Sequence, residues 1–346
     1  MKKIIFLFVL GSYSLCIHAQ NNSDKEPYLT KSLSKETIKD VQVKTLGGSI
    51  SVSGVNSSEA KIEVYVQPNN YKSNPLSKAE IQKRLNEDYE FNIDVSNNTL
   101  TAIAKAKDRN MDWKNALNIS FKVFVGENVS TDLHTSGGSI SLIKLTGNQG
   151  FSTSGGSLHV NNVTGKIDGK TSGGSIHISN SKNDISLNTS GGSIVANNCS
   201  GKIKLRTSGG SLKLKDLKGD ITANTSGGSI NGNNIDGELI SHTSGGSIHL
   251  DNMSGSLETS TSGGHIDVAI TTLGKYVKIH NSGGNVDLQI PNKGIDLDLS
   301  ASRIRTDALN NFSGTKDDDE IKGKLNSGGV PVTVRSSSGT IHLTIK

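Results

Sequence analysis

The sequence predicts an all-β protein, a single-chain parallel β-solenoid with about 18 residues per coil, an irregular β-rich N-terminal cap and looser C-terminal coils. Three observations predict it. The pair Gly-Gly recurs at 137–138, 155–156, 173–174, 191–192, 209–210, 227–228, 245–246 and 263–264, and nearly every copy reads Thr-Ser-Gly-Gly-Ser-Ile or Thr-Ser-Gly-Gly-Ser-Leu. A period held this strictly marks one supersecondary unit stacked on the last. Within each period two short stretches alternate apolar and polar, the pattern of a strand with one face buried. Aromatics make up only 4% of the chain while Gly numbers 39, which suits a thin aliphatic interior better than a wide globular core.

The coil Thr171 to Asn188 serves as the type. Its two alternating stretches are Ser175–Ser179 and Asp184–Asn188, separated by polar turn residues and followed by the next Thr-Ser-Gly-Gly corner. Counting Thr171 as position one, the sixth position holds Ile140, Leu158, Ile176, Ile194, Leu212, Ile230, Ile248 and Ile266, and the fifteenth holds Ile167, Ile185, Ile203, Ile221, Leu239 and Leu257. Stacked coils line these side chains into aliphatic ladders about 4.8 Å apart. The eleventh position is apolar too, and Cys199 falls in it as a small core residue. The tenth is a row of Asn, read as a ladder of stacked amides. The Gly pair is read as a corner needing positive φ, which Gly tolerates at little cost.

Both ends of such a stack leave open sheet edges that need caps. Residues 34–130 form the expected N-terminal cap. It opens with a lone early coil signal at Leu46–Ile50 and continues in strand-like runs at Ala60–Val66, Phe91–Val95, Leu100–Ala104 and Ile119–Val125. Ser77-Lys78-Ala79-Glu80 has capping-box form, so a helix is expected over 78–86. The regular coils occupy 131–290. The period slips to 20 residues at Gly283-Gly284, and residues 291–346 are expected to continue the stack in irregular coils and close it, ending on a strand at Thr340–Ile345.

Residues 1–19 read as a secretory signal peptide, with Lys2 and Lys3 followed by the apolar stretch Ile4 to Ile17, and 20–33 as a linker. No later apolar run reaches spanning length, so no transmembrane segment is expected after cleavage. Formal net charge is +5, falling to +3 without Lys2 and Lys3; with no Arg/Lys block, nucleic acid is not an expected partner. Cys199 is the one cysteine beyond the targeting segment, so no internal disulfide forms. The expected location is the periplasm, the outer cell surface or the medium.

The recurrent Thr-Ser-Gly-Gly-Ser-Ile, the earlier Gly47-Gly48-Ser49-Ile50-Ser51-Val52 and the closing Ser338-Gly339-Thr340-Ile341-His342-Leu343 resemble a bacterial β-strand-repeat family of adhesin-like proteins without assigned function. The resemblance runs over about residues 38–346. It implies a parallel β-solenoid at the cell envelope and carries no catalytic motif.

Sites were sought on the outward positions. His159 and His177 share the seventh position on adjacent coils, a spacing that suits two metal ligands or a solvated polar row. A denser cluster combines His249, Asp251, His265 and Asp267, four potential ligands on one outward face; surface coincidence is the competing reading, and no metal or cofactor is assigned. The run Asp317–Glu320 lacks a Ca²⁺-loop pattern and reads as an exposed acidic loop. Gly-Gly is followed by Ser-Ile, without the Asp of calcium-binding toxin repeats. No nucleophile elbow, zinc-protease helix or phosphate loop is present, and no facing carboxylate pair stands out for glycoside hydrolysis. A polysaccharide-active β-helix enzyme is therefore a minor alternative. Repeated Thr raises ice binding, but the Thr row is expected to point inward. The remaining classes are an adhesin-like module contacting cell-surface glycans or proteins, and a passive structural element of the envelope.

Overall fold

The computed structural model describes residues 26–69, 76–108 and 116–346; the expected signal peptide, residues 20–25 of the linker and Trp113 lie outside them. The N-terminal part contains strands β1 (Leu29–Ser32), β2 (Asp40–Thr45), β3 (Ile50–Gly54) and β4 (Lys61–Pro68), helix α1 (Lys78–Asp88), and strands β5 (Tyr89–Ser96), β6 (Thr99–Ala106), β7 (Leu117–Val125) and β8 (Ser130–His134). The repeat follows as β9 (Ile140–Thr153), β10 (Leu158–Thr171), β11 (Ile176–Ser179), β12 (Lys182–Thr189), β13 (Ile194–Thr207), β14 (Leu212–Asn224), β15 (Ile230–Thr243), β16 (Ile248–Thr261), β17 (Ile266–Asn281) and β18 (Val286–Ile290). The C-terminal part adds β19 (Ile295–Ser300), β20 (Arg303–Thr306), β21 (Phe312–Lys316), β22 (Glu320–Leu325), β23 (Val330–Ser336) and β24 (Thr340–Ile345). Among the described residues no helix is long and apolar enough to cross a membrane.

From β9 to β16 every neighbouring pair is parallel and offset by 18 residues: Leu158 faces Ile140 and Ile176, and Ile203 faces Ile185 and Ile221. The fold is the expected parallel β-solenoid. Positions 6, 8, 11, 15 and 17 point inward, and Ile140, Leu158, Ile176, Ile194, Leu212, Ile230, Ile248 and Ile266 are all fully buried. In most coils the two expected strands run together as one element of 13 or 14 residues, because pairing continues on both sides of the tenth position. Only the coil containing Ser181 is broken into β11 and β12. There Ser181 fills the apolar eleventh row, and its hydroxyl is satisfied by accepting from the Val163 amide and donating to the Ser179 carbonyl.

The corners correct the expectation about glycine. Positive φ is found at the tenth position (Lys144, Asn162, Asn180, Asn198, Asp216, Asn234, Asn252) and at the thirteenth (Gly147, Gly165, Asn183, Gly201, Gly219, Gly237, Gly255), while the Gly-Gly pairs of the regular coils are absent from that region. The Asn row is first a left-handed turn, which Asn tolerates better than most residues. Amide stacking is added to it, with Asn198 donating to Asn180 at 2.7 Å and Asn252 to Asn234. The second Gly of each corner is required by close approach. A Cβ on Gly210 would overlap the Gly192 carbonyl, and one on Gly192 that of Gly174.

The Thr of each corner is buried, as expected, and explains the rest of the motif. Thr207 Oγ1 donates to the Gly192 carbonyl of the coil below (2.7 Å) and accepts the amide of Gly210 in its own corner (3.1 Å). The same pair of bonds recurs from Thr135 to Thr261. Asn281 and Ser336 take the same place in the last corners. Outside it, most corner Ser amides reach the Ser Oγ one coil below, as Ser229 does with Ser211 (3.2 Å). The corner is thus an 18-residue hydrogen-bond register built from Thr, Gly and Ser.

The ends do not stack in chain order. The early coil β2–β3 lies directly beneath β8–β9, about ninety residues later in the chain, with Ile50 facing Ile140 and Val41 facing Thr131. Beneath it lie β6 and β7, then β5 and β4 antiparallel to them, and β1 at the outer edge. Helix α1 begins at the expected cap, where Ser77 Oγ accepts the Glu80 amide, and it buries Ile81 and Leu85. At the other end, β23 and β24 stack directly on β17 and β18, with Val332 on Val277 and Ile341 on Val286. Strands β19 and β20, although earlier in sequence, form the next layer out, and the antiparallel hairpin β21–β22 closes it. The C-terminal coils therefore close the stack out of sequence order. The acid run forms the turn of that hairpin, its backbone carbonyls at Asp318 and Asp319 accepting the amides of Ile304 and Ala301.

Candidate functional site

With the interior filled by aliphatic rows, the chemistry-bearing side chains lie on the outward positions. Parallel register carries the seventh position through Ser141, His159, His177, Val195, Lys213, Asn231, His249 and Asp267, and then on to Asp287 and His342. His159 and His177 stack face to face, ring centroids 5.3 Å apart and 13° from parallel. Partial burial, and then the charge of His177, hold His159 below the ordinary histidine pKa.

The four clustered candidates divide between two ionic groups. His249 Nε2 lies 2.8 Å from Asp251 and its Nδ1 2.9 Å from Asp267, so both ring nitrogens are engaged by carboxylates. Partial burial pulls the His249 pKa down, but the hydrogen bonds and charges of the two aspartates outweigh it and leave the value raised. His265 turns away to Asp287, at 3.1 Å, and the other oxygen of Asp287 meets His342 Nδ1 at 2.8 Å. Asp287 and His342 escaped the sequence reading because the 20-residue slip and the out-of-order closing coil break the 18-residue count. The Gly284 and Gly339 corners were the signal that would have placed both residues at the seventh position. Among the described residues no group of three or more His, Cys, Asp or Glu side chains is arranged to hold a metal ion. The arrangement is a chain of carboxylate–imidazole pairs joining the last regular coils to the closing one.

A second feature lies lower on the same face. Strands β13 to β16 border a shallow groove of about 510 Å³, with Lys213 and Lys215 on one side, Asn231 and Asn233 at its middle, and His249 and Asp251 on the far side. Cys199 is buried beneath this region, where desolvation raises its thiol pKa, so it presents no reactive thiolate.

Residues 201–344 match the family Toastrack DUF4097, which bears out over that stretch the family resemblance carried by the repeats. No curated protein matches the chain. Two solved structures are similar to it, each at 11% identity. One is a "putative cell adhesion protein" from Clostridium sporogenes, with a TM-score of 0.18 over 92% of this chain and 98% of that one. The other is a "putative adhesin" from Bacteroides fragilis, with a TM-score of 0.26 over 92% and 96%.

Proposed function

We propose that this chain is an exported envelope protein that works by surface contact, as an adhesin-like interaction module without catalytic turnover. The observation that carries the reading is the filled and closed interior. Inward rows of Ile, Leu and Val run from Val41 through the repeat to Leu297, and both ends are covered by strands paired onto them. What remains for recognition is a long outer surface on which Ser, Asn, Lys and His recur coil after coil. A surface of this kind binds weakly at each site and gains strength when many sites are engaged together. The signal-like start of the sequence supports an exported location.

The test is to display the chain from residue 26 on beads and measure retention on cell-surface glycans, host matrix proteins and bacterial envelope fractions. Retention that grows steeply with bead density is expected. Absence of retention on every surface, joined to loss of envelope integrity on deletion of the gene, would favour a passive structural element. Turnover of a polysaccharide by the purified chain would overturn both readings.

A further inference from the structure

A few outward cations of this solenoid are held by carboxylates. Lys218 pairs with Asp236, Lys278 with Glu258, Lys170 with Asp168 and Arg335 with Asp298. One band concentrates cations with few carboxylates among them. Residues 202–218 hold six cations (Lys202, Lys204, Arg206, Lys213, Lys215, Lys218) against the single carboxylate Asp216, a surplus of five, as large as the formal net charge of the whole chain. Five of them are exposed and form no ion pair among the described residues: Lys202, Lys204, Arg206, Lys213 and Lys215.

Register sets four of these apart. Lys204 lies between Ser186 and Thr222, and Arg206 between Asn188 and Asn224. Lys213 lies between Val195 and Asn231, and Lys215 between Asn197 and Asn233. Each of the four therefore has uncharged neighbours above and below, with hydroxyl or amide groups on at least one side. Lys202, by contrast, sits between Asp184 and Asp220, although it forms no ion pair with either. The four flank the corner Ser208–Ser211, two on the strand entering it and two on the strand leaving it, and the leaving pair borders the 510 Å³ groove.

We propose that this band is the docking surface for an acidic polysaccharide, a linear glycan bearing carboxylate or sulfate groups, lying across β13 and β14. The inference deepens the surface-contact reading and rests on it. Unpaired ammonium and guanidinium groups complement the anionic substituents. Asn188, Asn197, Asn224, Asn231, Asn233, Ser186 and Thr222 supply the donors and acceptors that sugar hydroxyls need. No aromatic residue lies between 202 and 218 to stack a nucleobase, which favours a glycan over a single-stranded nucleic acid.

The test measures retention of the chain from residue 26 on immobilised polyuronate and heparin, on a neutral glucan and on duplex DNA. Three forms are compared: the parent chain, the band variant Lys204→Gln/Arg206→Gln/Lys213→Gln/Lys215→Gln, and a control that removes the same charge from paired cations, Lys44→Gln/Lys61→Gln/Lys170→Gln/Lys278→Gln. All eight positions are outward, and unchanged thermal melting verifies folding. The band variant is expected to lose affinity for the acidic polymers about tenfold or more and to flatten the salt dependence, with the control near the parent. Equal losses in band variant and control would reduce the effect to net charge and overturn the proposal. So would unchanged binding by the band variant, or tighter binding to DNA than to either acidic glycan through the same four residues. Retention on neutral glucan or envelope fractions that ignores the four substitutions would remove this inference and leave the surface-contact reading standing.

Discussion

At the scale of single residues, the corner motif divides into positions with distinct physical duties. The second Gly is fixed by backbone proximity, the first is not: a Cβ on Gly209 would meet the Gly191 carbonyl at 3.6 Å, an ordinary contact, whereas one on Gly210 would overlap its neighbour. Gly210→Ala is expected to force the coils apart and cost about 3 kcal/mol or more, and Gly209→Ala about 1 kcal/mol or less, in thermal or urea unfolding. Thr207→Val keeps shape but removes two hydrogen bonds, with an expected loss of about 1–2 kcal/mol. Ile203→Asp places an unpaired carboxylate in a buried ladder and should be severe, whereas exposed Lys202→Gln should fall within about 0.5 kcal/mol. Equal melting for those two variants would show the inward and outward assignment to be wrong. The raised pKa of His249 has a sign that can be checked. A folded-state pKa above the unfolded one adds stability that is present below the unfolded value and fades as pH rises through the folded value. Since about half of the His249 side chain is exposed, solvent screening keeps the effect on stability small, and NMR titration is the sensitive readout. Asp251→Asn or Asp267→Asn should move its midpoint down.

At the scale of elements, the two ends share one device. The first coil, β2–β3, and the last, β23–β24, are each held between the repeat and an outer layer that lies nearer the repeat in sequence. Terminal strands of a chain usually fray. Here β24 is paired on both sides, to β18 and β20, while β21 pairs only with β22. Hydrogen exchange should therefore find the amides of Ile341–Ile345 protected like those of β14, and those of Phe312–Lys316 exchanging faster. Fast exchange at β24 would contradict the sandwiched arrangement. The Asp287 carboxylate, shared by His265 and His342, ties the closing coil to the repeat on the outer face as well.

At the scale of the whole molecule, stability accumulates coil by coil through nearest-neighbour interfaces, as in other solenoids. The 18-residue register is then a quantised unit. Duplicating residues 194–211 should insert one more coil, keep the melting temperature within a few degrees and lengthen the particle by about 4.8 Å in solution scattering. Duplicating nine residues should instead put outward residues into the core and abolish cooperative folding. The cationic band sits midway along this stack, far from either cap in layer order, so an added coil outside 184–224 should leave its chemistry unchanged.

The sequence by itself determined the solenoid, its period, the inward rows, the buried Thr and Cys199, the helix at Ser77 and the final strand, because each is written in local alternation or in repetition at a fixed interval. It also placed His249, Asp251 and Asp267 on one outward face, since the 18-residue count holds between their coils. Tertiary structure alone decided that Gly210 serves close approach and that Asn and the thirteenth residue carry positive φ, because those demands come from the neighbouring coil's backbone. It alone decided the order of the outer layers and the turn of His265 toward Asp287. Those depend on which residues stand one layer above and below, and where the period slips or the chain doubles back, no count along the sequence supplies that neighbour.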